Sequence, residues 1–114
     1  GDKTNVYVLE LIPRLHNDNN WTELDEDIVK RHFIRLKKYT EAGKVILAGR
    51  TLNQASESFG LVVFEASSEE EALEFMNGDP AVEEGIMTAK LFPYRVALLE
   101  RVNKDLLTVA IIMV

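Results

Sequence analysis

Apolar residues recur along this chain with two different periods, which predict strands and helices in alternation. Residues 6–12 begin with β-branched and aromatic side chains and stop at Pro13, which is typical of a strand. Residues 24–42 carry apolar positions at helical spacing and are followed by Gly43, which predicts a long helix. Three further strands are predicted, at residues 44–52, 60–66 and 87–98.

Capping residues locate a second helix and a short turn between the last two strands. Ser67 and Ser68 are candidate N-caps for a helix that runs to about Met76. The Asp79-Pro80 pair is typical of the start of another helical turn, over residues 81–84. The order strand-helix-strand-strand-helix-strand predicts an α+β protein with the ferredoxin-like βαββαβ arrangement. This arrangement is a four-stranded antiparallel sheet with both helices on one face.

The uncovered face of this sheet and the end of the chain both predict assembly. The first two strands are apolar in both alternating sets, so the second face of the sheet is expected to meet its copy in a homodimer. Residues 106–114 are almost uniformly apolar and rich in β-branched side chains, which favours an extra C-terminal strand over a helix. We expect that strand to pair at a sheet edge, in its own subunit or across the dimer, and assembly beyond a dimer is an alternative. The chain then divides into a domain, residues 1–98, and an extension, residues 99–114.

Composition narrows the classes of function. The 114 residues suit one domain, and the net charge of −6 argues against a nucleic-acid partner, so the basic residues of the first helix are expected to form a solvated face. With no cysteine and two histidines in dissimilar contexts, the chain offers no typical metal site, and no cofactor is predicted. No apolar run is long enough to span a membrane. We expect a soluble cytoplasmic protein, with an exported mature form as the alternative because the chain starts at Gly1.

One ionisable residue interrupts the apolar face of the first helix. His32 shares that face with Ile28, Leu36 and Tyr39. An imidazole buried without a partner costs about 1–3 kcal/mol, so a carboxylate from a distant segment is expected to bind it, and Asp79 is the candidate. A carboxylate on one ring nitrogen fixes the tautomer and makes the other nitrogen a better base for removing a proton. The alternative is that Asp79 is an ordinary helix cap and His32 a satisfied core residue.

Four segments, in this order and spacing, resemble the YCII-related (YciI-like) proteins. They are residues 30–36, 41–49, 60–64 and 77–85, with the sequences KRHFIRL, EAGKVILAG, GLVVF and NGDPAVEEG. The resemblance covers roughly residues 5–98. It implies a dimeric α+β barrel, formed when two ferredoxin-like sheets face each other, with a pocket between each sheet and its helices.

The same resemblance implies roles for individual residues. His32 and Asp79 match the family's catalytic dyad, and Gly49 matches a glycine at the close of the second strand, where a side chain would obstruct the cavity. Related barrels carry out isomerisation, elimination and cofactor-free oxygenation on small organic acids and lactones. We therefore expect a lyase or isomerase that acts without a cofactor on such a molecule. The alternative is a non-catalytic ligand-binding or sensor dimer in which the His-Asp pair is structural. The loop over residues 13–23 and the tail beyond residue 98 depart from the family pattern.

Five other side chains are weaker candidates for the pocket. Arg50 is either a ligand for a substrate carboxylate or a partner in a surface salt bridge. Tyr94 and Tyr7 either line the pocket or pack in the core. Trp21 is a pocket lid or a loop anchor, and His16 is expected to be exposed.

Overall fold

The computed structural model describes residues 2–100, and its strands form one antiparallel sheet. The strands are β1 (Lys3–Leu11), β2 (Val45–Arg50), β3 (Gly60–Ala66) and β4 (Met87–Pro93). Their order across the sheet is β2-β3-β1-β4, so that β1 and β3 are the central strands. This order confirms the predicted α+β fold of the ferredoxin-like type.

Within residues 2–100, three α-helices accompany the sheet, and each begins at a side-chain cap. The helices are α1 (Glu23–Glu41), α2 (Glu69–Asn77) and α3 (Pro80–Glu83). Thr22, Ser68 and Asp79 each accept a hydrogen bond from a backbone N–H of the first turn that follows. Because these N–H groups have no partner inside the helix, the caps determine where each helix starts.

The helices pack on one face of the sheet over an aromatic core. Tyr7 on β1 and Phe64 on β3 lie edge to face with their ring centroids 5.6 Å apart. Phe75 on α2 packs on both rings, and Leu36 brings α1 into the same cluster. Alternation along β1 therefore directs Tyr7 towards the helices.

The fourth strand is shorter than predicted. The expectation of a strand over residues 87–98 was wrong beyond Pro93, where β4 ends. Proline has no N–H to donate to the ladder, and only one further backbone bond, from Tyr94 N–H to Thr4 O, continues the pairing. The predicted C-terminal strand, residues 106–114, lies outside the described residues.

The predicted loop between β1 and α1 contains two short 3-10 helices, Pro13–His16 and Asp18–Asn20. Leu15 is buried there in a second small core beneath α1 and α3. Arg14 donates two hydrogen bonds of 2.8 Å to the carboxylate of Asp25, which ties this segment to the first turn of α1. The segment is therefore a packed part of the domain.

The outer face of the sheet, which points away from the helices, is apolar across all four strands. Strand pairing aligns Leu47, Val63, Val6 and Phe92 in one row on that face. Leu47 is 54% exposed and Phe92 is 47% exposed, so the described chain leaves the two ends of the row open to solvent.

Candidate functional site

His32 and Asp79 lie in contact although 46 residues separate them in the sequence. His32 is in the middle of α1, and Asp79 is in the turn between α2 and α3. Nδ1 of His32 is 2.7 Å from Oδ1 of Asp79. The imidazole is 14% exposed, whereas the carboxylate is fully buried.

The Asp79 carboxylate has three hydrogen-bond partners. The hydroxyl of Tyr7 donates to Oδ2 at 2.8 Å, and the N–H of Ala81 donates to Oδ1 at 3.0 Å, in addition to the contact with His32. The bond from Ala81 arises locally, because an Asp that precedes Pro at a helix start caps the following turn. The bonds from His32 and Tyr7 are tertiary, since α1 and β1 supply them.

The hydrogen bonds determine the charge of this carboxylate. Burial acts to raise the pKa of Asp79, but the hydrogen bond and charge of His32 and the donors Tyr7 and Ala81 outweigh it, so the pKa lies below its usual range. An ionised carboxylate only accepts hydrogen bonds, so Nδ1 of His32 must carry the proton in this contact. When the imidazole is neutral, Nε2 is then the nitrogen with a free lone pair.

Tyr7 contributes its hydroxyl to the site from the centre of the core. It is fully buried, and burial together with the neighbouring Asp79 raises the pKa of its phenol, so the group stays protonated and donates. From the sequence, Tyr7 was expected either to line the pocket or to pack in the core. Its position on the inward face of a central strand is visible in the sequence pattern, but its hydrogen bond to Asp79 is not.

Arg35 is a second neighbour of the site, and the sequence pattern did not indicate it. Its guanidinium lies over the Phe75 ring at 4.4 Å, and Nη2 donates to the Phe75 carbonyl at 2.9 Å. Nη1 is buried and has no hydrogen-bond partner among the described residues. This arginine belongs to the basic set that was expected to form a solvated face, and for Arg35 that expectation was wrong.

The other predicted pocket residues lie apart from this pair. Gly49 is on the outer face opposite Leu61, and a Cβ added there would meet no atom within 4 Å, so within this chain a side chain would not obstruct a cavity. Arg50 is exposed, and its Nη1 donates only a long bond of 3.5 Å to the Thr51 carbonyl. Tyr94 is half exposed after the end of β4. Among the described hydrogen bonds and ion pairs, none joins these three residues to the His-Asp pair.

The aromatic and the histidine of the β1–α1 segment have structural contacts. The indole N–H of Trp21 donates to the Leu15 carbonyl at 3.1 Å, and the ring packs on the small core below, so the anchor alternative is the one observed. His16 is partly buried, with Nε2 3.1 Å from the Leu11 carbonyl oxygen, so the expectation of an exposed side chain was wrong.

The described surface has two grooves whose linings do not include the His-Asp pair. One of about 660 Å³ lies along α2 and is lined mainly by glutamates, and one of about 1080 Å³ runs between α2 and the end of β4, where Tyr94 contributes. Neither is lined by His32 or Asp79. Within residues 2–100 no group of three or more acidic or histidine side chains could hold a metal ion. Each helix in this range is too short or too polar to cross a membrane.

Comparison with known proteins identifies one family. The model of the YCII-related domain matches residues 9–93, a stretch that includes the end of β1, all of α1 and β3, and the turn that carries Asp79. A search of curated proteins found no match.

Proposed function

This chain belongs to the YCII-related domain family, and we propose that it is a cofactor-independent enzyme that uses His32 as a general base or acid. The substrate class is a small organic acid or lactone, and the reaction is an elimination or an isomerisation, of the lyase or isomerase type. Asp79 orients His32 and compensates the charge of the imidazolium that forms.

The observation that carries this proposal is the fixed orientation of one imidazole. An ionised, fully buried carboxylate accepts from Nδ1 of His32, so in the neutral form of the ring Nε2 is the unprotonated nitrogen, and the side chain retains 14% exposure. A general base needs this combination of a fixed tautomer and a lone pair that solvent or a ligand can approach.

The reaction follows from that geometry. Nε2 of His32 takes a proton from the carbon next to the carboxyl or lactone carbonyl, and the electron pair of the broken C–H bond moves onto the carbonyl oxygen. In an isomerisation the imidazolium returns a proton to a different carbon. In an elimination the electron pair expels a leaving group from the neighbouring carbon.

The homodimer belongs to the same proposal. The apolar row on the outer face, from Leu47 to Phe92, supplies a self-complementary surface for a second copy, and two such sheets face to face give an α+β barrel. The family to which the chain belongs supports this arrangement.

One observation favours a second candidate function. Asp79 caps α3 and bonds to β1 and α1 at once, which is how a structural polar group would satisfy itself in a core. A non-catalytic ligand-binding or sensor dimer, with the pair holding the fold together, would have the same contacts.

Proton exchange with solvent distinguishes the two functions. A panel of small carboxylic acids and lactones is incubated with the protein in D2O, and loss of C–H signals is followed by proton NMR. For a substrate of the enzyme, we expect His32→Ala to reduce the exchange rate about a hundredfold or more, since general acid-base catalysis contributes that much.

The second histidine provides the matched control. His16→Ala removes an imidazole whose Nε2 lies 3.1 Å from the Leu11 carbonyl oxygen, with no described hydrogen bond to His32 or Asp79, and it should leave the exchange rate unchanged. If His32→Ala keeps the wild-type exchange rate while its melting temperature falls by several degrees, the pair is structural and the enzymatic proposal is wrong.

A further inference from the structure

We infer that Tyr7 and Arg35 are positioning residues of this site: Tyr7 holds the Asp79 carboxylate and Arg35 orients Tyr7, so that His32 is kept in one tautomer. The catalytic meaning of this inference rests on the proposed function. The contacts themselves can be tested without a substrate.

Tyr7 restrains the side of Asp79 that His32 does not reach. Its hydroxyl donates to Oδ2 at 2.8 Å, while His32 and Ala81 both contact Oδ1. Rotation of the carboxylate would therefore break the bond to Tyr7. The Tyr7 ring is itself held edge to face against Phe64 and Phe75, which leaves the hydroxyl little freedom.

Arg35 packs on the Phe75 ring, which also contacts the ring of Tyr7. The single hydroxyl hydrogen of Tyr7 is used by Asp79, so the phenol oxygen can only accept from a further donor. Burial and Asp79 raise the pKa of Tyr7, and the positive charge of Arg35 acts in the opposite direction, as expected for a cation beside the phenol oxygen. Nη1 of Arg35 is buried without a partner among the described residues, and the Tyr7 phenol oxygen is the acceptor that this inference assigns to it.

The surroundings of Arg35 hold its guanidinium at this position. Nη2 donates to the Phe75 carbonyl, and the planar group lies over the Phe75 ring with Tyr39 at 5.3 Å. A Cβ added at Gly78 would lie 3.0 Å from Nη2 and 3.1 Å from the Glu74 carbonyl oxygen, so the glycine leaves the space that the arginine occupies.

NMR of the His32 ring in protein labelled with 15N-histidine tests whether Tyr7 and Arg35 affect His32 through Asp79. In the wild-type protein we expect neutral His32 to be the Nδ1–H tautomer with slow exchange of that proton. Tyr7→Phe should accelerate the exchange about tenfold or more, because a hydrogen bond to a charged group is lost, and should populate the second tautomer. Arg35→Met should act in the same direction, with partial recovery in Arg35→Lys.

Tyr39→Phe is the matched control for the loss of a hydroxyl. Tyr39 packs on the same Phe75 ring, at 5.1 Å, but its hydroxyl makes no hydrogen bond to Asp79. This variant should leave the tautomer and the exchange rate of the His32 ring unchanged. If Tyr7→Phe does not fold, Gly78→Ala displaces Arg35 without removing a polar group and should accelerate the exchange in the same way.

The inference is overturned if Tyr7→Phe and Arg35→Met lower the melting temperature but leave the His32 ring signals as in the wild type. Its failure is distinct from failure of the enzymatic proposal. If the ring signals respond as expected but His32→Ala leaves the proton exchange of substrates unchanged, the positioning roles stand and the enzymatic proposal is wrong. If the ring signals stay as in the wild type but His32→Ala loses the proton exchange, the enzymatic proposal stands and the positioning roles are wrong.

Discussion

Burying an ionised carboxylate destabilises a small domain, and hydrogen bonds to Asp79 offset this loss of stability. Its two oxygens receive bonds from a backbone N–H, a phenol and an imidazole, each from a different element of the fold. Together they outweigh the effect of burial on its pKa and keep the group ionised. The same contacts that make Asp79 tolerable in the core also determine which nitrogen of His32 is left free.

The low pKa of Asp79 makes part of the stability pH-dependent. The folded pKa lies below the unfolded value of about 3.9, so this stabilisation is present above that pH and is lost as the pH falls through the folded pKa. Asp79→Asn should lower the free energy of unfolding by about 1–3 kcal/mol near neutral pH. The difference from wild type should shrink between about pH 5 and about pH 2 in urea titrations.

Asp18→Asn is the control for that titration. Asp18 is exposed in a 3-10 helix, so Asp18→Asn should change the free energy of unfolding little. A difference for Asp79→Asn that grows as the pH falls would contradict the assigned charge state of the carboxylate.

Among the elements, α1 connects the candidate site to the rest of the domain. His32 lies near its middle, and its first turn is held by the capping box of Thr22 and Asp25, to which Arg14 adds a bidentate ion pair. The pair between Arg31 and Glu84 joins α1 to the residue that follows α3. The helix is thus fixed at its start and beside the turn that supplies Asp79.

The cap of α1 can be tested by itself. Thr22→Ala removes the side chain that accepts from the Asp25 N–H and should lower the free energy of unfolding by about 1 kcal/mol in urea denaturation. Thr22→Ser keeps the hydroxyl and should stay close to wild type. Equal stability of the Ala and Ser variants would show that the capping bond contributes nothing.

At the scale of the whole molecule, the two faces of the sheet differ in what covers them. In the described part of the chain, α1, α2 and α3 cover one face, while the outer face carries an apolar row whose ends remain open. Val6 and Val63 in the middle of the row are buried, and the exposed apolar side chains at its two ends are typical of an interaction site. This asymmetry is the physical basis for the proposed homodimer.

Charges placed at the two ends of the row test that dimer. Leu47→Glu combined with Phe92→Glu should convert a wild-type dimer to a monomer in size-exclusion chromatography with light scattering, since burying two unpaired charges opposes association. Leu52→Glu, in the loop after β2 and 85% exposed, should leave the dimer intact. A monomeric wild type, or a double variant that remains dimeric, would contradict the proposed interface.

The sequence was sufficient for the elements and their order, because apolar periods and capping residues act locally. It predicted β3 with the observed bounds and the turn that begins at Asp79, and it failed at the end of β4, where pairing with β1 rather than composition determines the last residue. It also named His32 and Asp79 as neighbours, since an ionisable ring on an apolar face requires a partner and the family resemblance supplied one.

The tertiary structure alone decided what surrounds that pair. The sequence pattern indicates a core position for Tyr7 and a surface position for Arg35. In the structure Tyr7 bonds to Asp79, and Arg35 packs on Phe75, which contacts the Tyr7 ring. Gly49, Arg50 and Tyr94 were assigned to a pocket, but the pairing of the edge strands holds Gly49 and Arg50 away from the His-Asp pair, and Tyr94 lies beyond the end of β4. Local patterns specify which residues form a helix or strand, whereas contacts between distant segments depend on how those elements pack, and that information is not periodic in the sequence.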